Sequence, residues 1–354
     1  MIGNEGEKEI YPLEFSDLAL SRKKPKGASI VKRRYLLGIT LGVLGVLLPL
    51  WEVGVAAAKR FPSRPIQVIV PFVPGETDNL LRPFVEKMPD FLGQPVTFVY
   101  KPGAAGGTGS LFVANSKPDG YTLVASSQSS MVLLPLANKD LGYTPEAFTA
   151  VSCLVEGYIN VGVLTHARWK TIQDLVADAK KNPEKISYSS TGTFGITHIA
   201  AEAFCKEAGI KMIHVPTGGA GAAVTAMLGG HVNISMAGSG PTFPHIKAGT
   251  VRSLMIFNAR RAKAIPDVPC AKELNYPVIP LNYGILAPKG TPKEIIDILA
   301  QSIKKVIEKN GPLLDDRLSQ LGAQINYLGP EEHAAFLRSQ YDYFGKVLKA
   351  IHGN

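Results

Sequence analysis

The sequence has few of the residues that build covalent cross-links or metal sites. Its three cysteines, Cys153, Cys205 and Cys270, stand far apart, and the seven histidines are scattered. This spacing fits neither a disulfide framework nor a zinc site, although one bridge could still form. We therefore interpret the cysteines as small buried residues and predict no metal site.

Signatures of catalysis and of nucleotide binding are also missing. The chain has no G-x-S-x-G elbow, no H-E-x-x-H motif and no G-x-x-x-x-G-K-[ST] phosphate loop. The glycine-rich stretch 103–107 lacks the G-x-G-x-x-G spacing of a dinucleotide site. A dense stripe of Lys and Arg interleaved with aromatic residues is absent, which argues against a nucleic-acid partner. The sequence thus predicts a protein that is not an enzyme and uses no cofactor.

The composition is that of a globular protein rich in turns. Apolar residues make up 45% and charged residues 19% of the chain, which argues against disorder. The 35 glycines and 26 prolines predict many loops, and 354 residues suffice for two domains. The formal net charge is +9, of which residues 59–354 carry +7, and this basicity fits an anionic small-molecule ligand.

An export signal is predicted near the start of the chain. Lys32-Arg33-Arg34 precedes the apolar run 35–50, and the small residues 55–58 follow it, which is the order of a secretory signal. The arginine pair also resembles a twin-arginine signal, and the run is shorter than the roughly 20 residues of a spanning helix. We expect residues 1–58 to form an export signal with an N-terminal extension, and the protein to be periplasmic. Because that extension is long, either the true start lies further along or the chain stays tethered to the membrane.

Strand and helix patterns alternate along the rest of the chain. Helical segments separate short β-branched runs that predict strands, among them 65–72, 96–100, 121–125 and 159–164. Such alternation predicts parallel βαβ units.

The strand–helix pattern divides into two halves. It restarts near residue 164, and an apolar strand pattern returns at residue 283. We therefore expect an α/β fold with two lobes, each a mainly parallel sheet flanked by helices, joined by two hinge crossings. Lobe 1 would comprise 59–163 plus 283–354, with the C-terminal helices packed on it, and lobe 2 would comprise 164–282.

The loop after the first predicted strand is a candidate ligand site. Free backbone amides and the helix dipole at such a strand-to-helix loop favour a bound carboxylate. The alternative is an ordinary turn, in which Gly75 bends the chain and Thr77 or Asp78 caps the helix. The candidate residues are Phe72, Pro74, Gly75, Glu76, Thr77 and Asp78.

Polar loops follow three other predicted strands. Hydroxyls and exposed amides can bind carboxylate or sugar oxygens, and two facing lobes would place such loops around one cleft. The alternative is solvated, capped loops in which His198 is structural. The candidate residues are Ser127, Gln128, Ser129, Ser190, Thr191, Thr193, Phe194, His198, Thr217 and Gly218.

Many short motifs in register resemble the tripartite tricarboxylate transporter solute-binding family, also called the Bug family or TctC family. They run from residue 61 to residue 350 and include Phe61-Pro62-Ser63-Arg64-Pro65-Ile66, Leu92-Gly93-Gln94-Pro95-Val96, Pro118-Asp119-Gly120-Tyr121-Thr122-Leu123, Leu228-Gly229-Gly230-His231-Val232 and Leu286-Ala287-Pro288-Lys289-Gly290-Thr291-Pro292. The resemblance implies a periplasmic-binding-protein fold of the Venus-flytrap type with a small organic carboxylate held between the lobes. It implies delivery of that ligand to a membrane permease of one large and one small subunit. Presentation of the ligand to a membrane sensor kinase, or an exported α/β enzyme, are the alternatives.

The sequence departs from the family's pattern at three places. Glu76 stands where the family has a glycine, in a loop that is one residue shorter. Ala237-Gly238-Ser239 replaces an F-D-N triplet, which adds Ser239 to the candidates, and Phe194 replaces a glycine. An acid beside an anion site is repulsive unless it is paired or turned away. We hypothesise a ligand that is aromatic, less anionic than citrate or partly cationic.

Overall fold

The computed structural model describes residues 61–352, and side chains up to residue 351. The predicted export signal at residues 1–58 lies outside the described residues. None of the helices between residues 61 and 352 combines the length and the apolarity that a membrane crossing requires.

Eleven strands form two sheets in this part of the chain. They are β1 (Ile66–Val70), β2 (Val96–Tyr100), β3 (Thr122–Ser127), β4 (Phe148–Gly157), β5 (Ile159–Leu164), β6 (Ser187–Ser190), β7 (Ile213–Pro216), β8 (Ile234–Gly238), β9 (Val251–Ile256), β10 (Leu281–Pro288) and β11 (Gln324–Leu328). The first sheet has the order β11-β4-β10-β3-β1-β2, and the second has the order β7-β6-β8-β5-β9. We call the parts that carry these sheets the first and the second lobe.

Helices flank both sheets. They are α1 (Glu76–Val85), α2 (Pro89–Leu92), α3 (Gly107–Ala114), α4 (Leu134–Ala137), α5 (Ile172–Lys181), α6 (Ile196–Ala208), α7 (Ala220–Leu228), α8 (Ser239–Lys247), α9 (Lys293–Ser319) and α10 (Pro330–His352). A π-helical turn, Ser129–Leu133, leads into α4, and short 3-10 helices cover Ala104–Gly106, Lys139–Leu141, Pro145–Ala147 and Ala271–Leu274.

The chain passes between the sheets twice. The first crossing is a single residue, Tyr158, between β4 and β5, and the second is the segment 257–280 between β9 and β10. The second crossing begins beside the first, because the Phe257 N–H donates at 2.9 Å to the carbonyl of Ile159, the residue that follows Tyr158. Since β5 pairs only within the second sheet, the chain leaves the first sheet at Gly157, six residues before the expected boundary at residue 163. It returns with Leu281, two residues before residue 283.

Both sheets are mixed, which corrects the expectation of mainly parallel sheets. β1 is parallel to β2 and β3, and β6 is parallel to β7 and β8. β10 is antiparallel to β3 and β4, and β5 is antiparallel to β8 and β9. The parallel strands are those joined by helical crossovers, whereas β5 and β10 enter directly from the other sheet and need no crossover helix.

The apolar strands form the centre of each lobe. Ile66, Val68 and Val70 of β1 are fully buried, as are the residues 123–125 of β3, because helices cover both faces of these central strands. α9 packs on α1 and β4, and α10 packs on β4 and also contacts α6 of the second lobe. All three cysteines are buried and unbridged, which confirms their interpretation as small core residues.

Candidate functional site

A small cavity lies where the two lobes face each other. Loops at the carboxyl ends of β1, β3 and β6 meet there with the N-termini of α1, α6 and α7. Six of the predicted candidates line it together: Phe72, Glu76, Thr77, Ser127, Ser129 and Thr191. The cavity encloses about 30 Å³, room for a water molecule or two. Among the described residues that line it there is one acid, Glu76, and no Lys, Arg or His.

Glu76 is the first residue of α1 and points its carboxyl group into the second lobe. The space beside Gly238 is filled by this carboxyl group, because a methyl added to Gly238 would lie 1.6 Å from Glu76 Oε1. The residue as a whole is partly buried, but Oε1 is inaccessible to solvent and has no hydrogen-bond partner among the described residues. Burial raises the pKa of Glu76 to about 7, and hydrogen bonds from the Tyr283 hydroxyl and the Gly240 amide act in the opposite direction.

Asp78 stabilises the start of α1 and does not line the cavity. Its Oδ1 accepts the Gly75 N–H at 2.7 Å, which satisfies a backbone donor at the start of α1. Its Oδ2 accepts from Arg82 at 2.9 Å and from the Tyr100 hydroxyl at 2.8 Å. The capping alternative weighed for this residue is therefore the one that the contacts support. Of its neighbours, Gly75 is the N-cap residue of α1 and Pro74 is exposed; neither lines the cavity.

Ser129 links the two lobes directly. Its hydroxyl accepts the backbone N–H of Ile196, the first residue of α6, at 2.9 Å. Ser127 supports this turn by accepting the Ser129 N–H at 3.2 Å. Gln128 faces away from the cavity and holds the second crossing, where its Oε1 accepts the Asn282 N–H and its Nε2 donates to the Pro280 carbonyl.

The hydroxyl-rich loop of the second lobe is held by its own side chains. The Thr191 and Thr197 hydroxyls lie 2.9 Å apart, and the Thr191 N–H donates to Thr197 Oγ1 at 2.9 Å. The Thr217 hydroxyl donates to the Ser190 carbonyl at 2.7 Å. Thr191 and Thr197 line the cavity, whereas Ser190 is buried behind them and Thr193 and Gly218 are exposed. Thr217 also stays outside the cavity wall.

Two stacked histidines lie behind this loop. The rings of His198 and His214 are 4.0 Å apart, and His198 Nδ1 accepts the N–H of Phe194 at 3.2 Å. Burial lowers the pKa of both imidazoles to about 4, so both are neutral at pH 7. His214 Nε2 lies 2.6 Å from Ser190 Oγ. None of these side chains lines the cavity, so the contacts favour the structural interpretation of His198 and leave Phe194 outside the cavity wall.

Sequence reasoning missed several residues that line the cavity or lie close to it. Tyr283 and Leu281 of β10 line it, as do Ile196, Thr197, Ala220 and Gly221 at the starts of α6 and α7. The glycine loop 217–219 before α7 could have indicated Ala220 and Gly221, since a strand-to-helix turn exposes the first residues of the helix. No local signal marked Tyr283, because its place depends on the antiparallel pairing of β10 with β3. Ser239 is buried at the start of α8, and its Oγ has no hydrogen-bond partner within residues 61–352.

Comparisons with known proteins agree with one another. A family model described as the tripartite tricarboxylate transporter family receptor, TctC, matches residues 80–352. A UPF0065 protein of Bordetella bronchiseptica is 32% identical over 313 residues, which are 88% of this chain and 92% of the relative. A solved structure described as a periplasmic transporter is 35% identical with a TM-score of 0.78, and covers 82% of this chain and 97% of its own. The structure of the periplasmic binding protein BugD is 28% identical with a TM-score of 0.77, over 82% of this chain and 99% of its own.

Proposed function

The chain belongs to the tripartite tricarboxylate transporter receptor family, and from this premise we propose that it captures a small organic carboxylate between its two lobes. One observation carries the proposal: three helix N-termini, those of α1, α6 and α7, converge on one cavity between the lobes. The first amides of a helix lack intrahelical partners, and the helix dipole places partial positive charge there. A carboxylate is the ligand that such a site favours.

The cavity walls supply hydroxyl groups for the rest of the ligand. Hydroxyls of Thr77, Ser127, Thr191 and Tyr283 belong to residues that line it, and a hydroxyl both donates and accepts hydrogen bonds. Neutral groups of this kind hold a carboxylate without a buried lysine or arginine. Residues 59–354 hold 30 Lys and Arg against 23 Asp and Glu, and this net charge of +7 favours the approach of an anion.

Capture requires the lobes to move apart. A cavity of about 30 Å³ is too small for an organic acid of several carbon atoms. The only crossings in the described part of the chain are Tyr158 and the segment 257–280, and hinges form where few segments connect two rigid bodies. We therefore expect opening about these crossings, ligand entry, and closure.

Delivery to a membrane permease of a large and a small subunit completes the proposed function, with the protein in the periplasm. The likeness to a structure described as a periplasmic transporter supports this location. Export by the signal at residues 1–58 belongs to the same proposal.

Thermal shift and native mass spectrometry of the purified protein test carboxylate capture. The panel contains aliphatic, aromatic and amino-group-bearing carboxylates, together with uncharged amides of the same size as matched controls. We expect one class of carboxylate to raise the melting temperature and to be recovered unchanged, while its amide has no effect. A carboxylate that is chemically converted, or amides that bind as well as the acids, would contradict the proposal.

A further inference from the structure

The side chain of Glu76 crosses from the first lobe to the N-terminus of α8 in the second. A methyl group added to Gly238 would lie 1.6 Å from Oε1, and one added to Gly240 would lie 3.3 Å from Cγ. The Gly240 backbone also lowers the pKa of this carboxyl group, against the larger effect of burial. α8 is nine residues long, so its dipole favours an anion at this end. The protein's own carboxyl group therefore occupies the place that α8 would offer to an anion from outside.

This carboxyl group does not have a full set of donors. Glu76 Oε1 is buried with no hydrogen-bond partner among the described residues. The neighbouring hydroxyls of Ser239 and Tyr158 are also buried without a partner in residues 61–352. A buried carboxylate oxygen that lacks a donor destabilises the folded state, so a ligand group that donates hydrogen bonds is favoured beside Glu76.

The charges around the cavity point to the same kind of group. Glu76 is the one acid among the described cavity residues, and no cationic side chain lines the cavity with it. A second ligand carboxylate near Glu76 would meet a like charge in a poorly hydrated place. Ala220 and Gly221 line the cavity at the start of α7, where the first-turn amides remain suited to one carboxylate.

We propose that Glu76 determines the specificity of the cleft, excluding a second ligand carboxylate and selecting a solute that carries one carboxylate and one ammonium group. This inference rests on the proposed carboxylate binding and names the class of carboxylate. The ligand carboxylate binds the helix N-termini of the cavity, and its ammonium group donates to Glu76. The negative end of the ligand then faces the partial positive charge of the helix N-termini, and its positive end faces the carboxylate of Glu76.

Matched sets of compounds test this inference because their members differ in one terminal group only. Adipate, 5-aminopentanoate and hexanoate share one methylene chain and end in a carboxylate, an ammonium group and a methyl group. Succinate, 3-aminopropanoate and butanoate form a shorter set, and 4-(carboxymethyl)benzoate, 4-(aminomethyl)benzoate and 4-ethylbenzoate form an aromatic set. Each compound is titrated calorimetrically into the wild-type protein, Glu76→Gln, Glu76→Gly and the control Glu86→Gln. Glu86 lies at the other end of α1 and pairs with Arg317 on the surface.

In the wild-type protein and in Glu86→Gln, we expect the amino acid of the best-fitting set to bind at least about tenfold more tightly than the diacid. Glu76→Gln should abolish that preference. Glu76→Gly should raise the affinity for the diacid, because it vacates the N-terminus of α8. Circular dichroism and melting curves show that each variant is folded.

Two negative results have different meanings. A wild-type protein that binds diacids at least as tightly as the matched amino acids, with a ratio that Glu76→Gln leaves unchanged, would overturn the role of Glu76 while carboxylate capture stands. Absence of binding by every member of all three sets, in folded wild-type protein, would overturn carboxylate capture and the inference with it.

Discussion

Glu76 combines a buried carboxyl group with an altered acidity, and this gives the protein a particular dependence on pH. Its pKa is about 7 in the folded protein, against an ordinary value of 4.5. Between these two values the folded chain keeps a proton that the unfolded chain releases. The contribution of Glu76 to the free energy of unfolding is therefore fully present below pH 4.5, and it is lost as the pH rises through 7.

The first prediction is that Glu76→Gln removes this loss. The difference of 2.5 between 7 and 4.5 corresponds to about 3 kcal/mol at most in the free energy of unfolding. Glu76→Gln should match the wild type at pH 4.5 and exceed it by up to this amount at pH 8. Urea unfolding of both proteins at four pH values measures the difference.

The tyrosines and histidines near the cavity do not produce the same pH dependence of the stability difference. Tyr158 and Tyr283 face Glu76, and burial raises the pKa of each above its usual value, so neither titrates in this range. His198 and His214 have pKa values lowered to about 4, and they weaken both proteins alike as the pH falls below 6.5. A stability difference that stays constant from pH 4.5 to pH 8 would rule out the raised pKa of Glu76.

Gly238 leaves the space that the Glu76 carboxyl group fills. The backbone of Gly238 has φ −73° and ψ 173°, which alanine adopts without strain, so Gly238→Ala changes only the available space. The second prediction is that Gly238→Ala destabilises the protein by about 1–3 kcal/mol through overpacking. The additional change Glu76→Gly should restore most of that loss.

A double-mutant cycle in urea measures this coupling between Gly238 and Glu76. Gly230→Ala is a poor control because Gly230 has φ 72°. Gly221→Ala is a suitable one, since a methyl there meets open space. Equal losses from Gly238→Ala with and without Glu76 would refute the contact.

At the scale of the element, α1 depends on Asp78 for its start. The carboxylate accepts from the Gly75 amide, Arg82 and the Tyr100 hydroxyl, so one side chain fixes the loop, the helix and β2 together. The third prediction is that Asp78→Ala lowers the free energy of unfolding by about 2–4 kcal/mol, since charge-assisted bonds and a helix cap are lost at once. Thermal and urea unfolding measure it.

The control for Asp78 is Asp297→Ala. Asp297 forms an exposed pair with Lys293 one turn away on α9, and such pairs contribute about 0.5 kcal/mol or less. If the two substitutions lowered the free energy of unfolding equally, the contacts of Asp78 would contribute no more than an exposed ion pair.

The strand-to-helix loops were predictable from the sequence, whereas the neighbours of those loops were not. Periodicity and glycine-rich turns placed Glu76, Ser129 and Thr191 after strands, and the fold brings them to one cavity. The same local pattern left open whether Asp78 caps its own helix or contacts a ligand. It could not show that Gln128 holds the second crossing, because the partners of Gln128 are distant in sequence.

In the sheets too, local sequence patterns do not reveal which strands pair with each other. The β-branched run at 159–164 was correctly taken as a strand, but its membership of the second sheet rests on pairing with β8 and β9. β4 and β11 carry weak local patterns, and they become strands through pairing with β10 and with each other.

For the whole molecule, the contact between Ser129 and Ile196 favours the closed arrangement of the lobes. The Ser129 hydroxyl accepts the first amide of α6 across the cleft, and a buried hydrogen bond of this kind contributes about 1 kcal/mol. The fourth prediction is that Ser129→Ala shifts the ligand-free protein toward the open form and speeds ligand release about fivefold. Small-angle X-ray scattering and stopped-flow dissociation measure the two effects.

Ser116→Ala is the matched control, because its hydroxyl donates to Phe112 within one lobe at the exposed end of α3. In urea unfolding, Ser129→Ala should lose at most about 1 kcal/mol more than Ser116→Ala. A slower association rate with unchanged release would show that Ser129 acts on entry rather than on closure.

The single-residue crossing at Tyr158 also has a consequence for how the chain reaches its native state. The second lobe lies between two parts of the first, and β4 meets β11 only after the whole second lobe has passed, as the contact of Glu156 with Gln324 across 168 residues shows. Pairings of such sequence separation form late, because a long loop must close first. Until β10 and β11 arrive, β3 and β4 present unpaired edges that invite aggregation. Completion of the first sheet is therefore the step at which the folding chain depends most on its own C-terminal third.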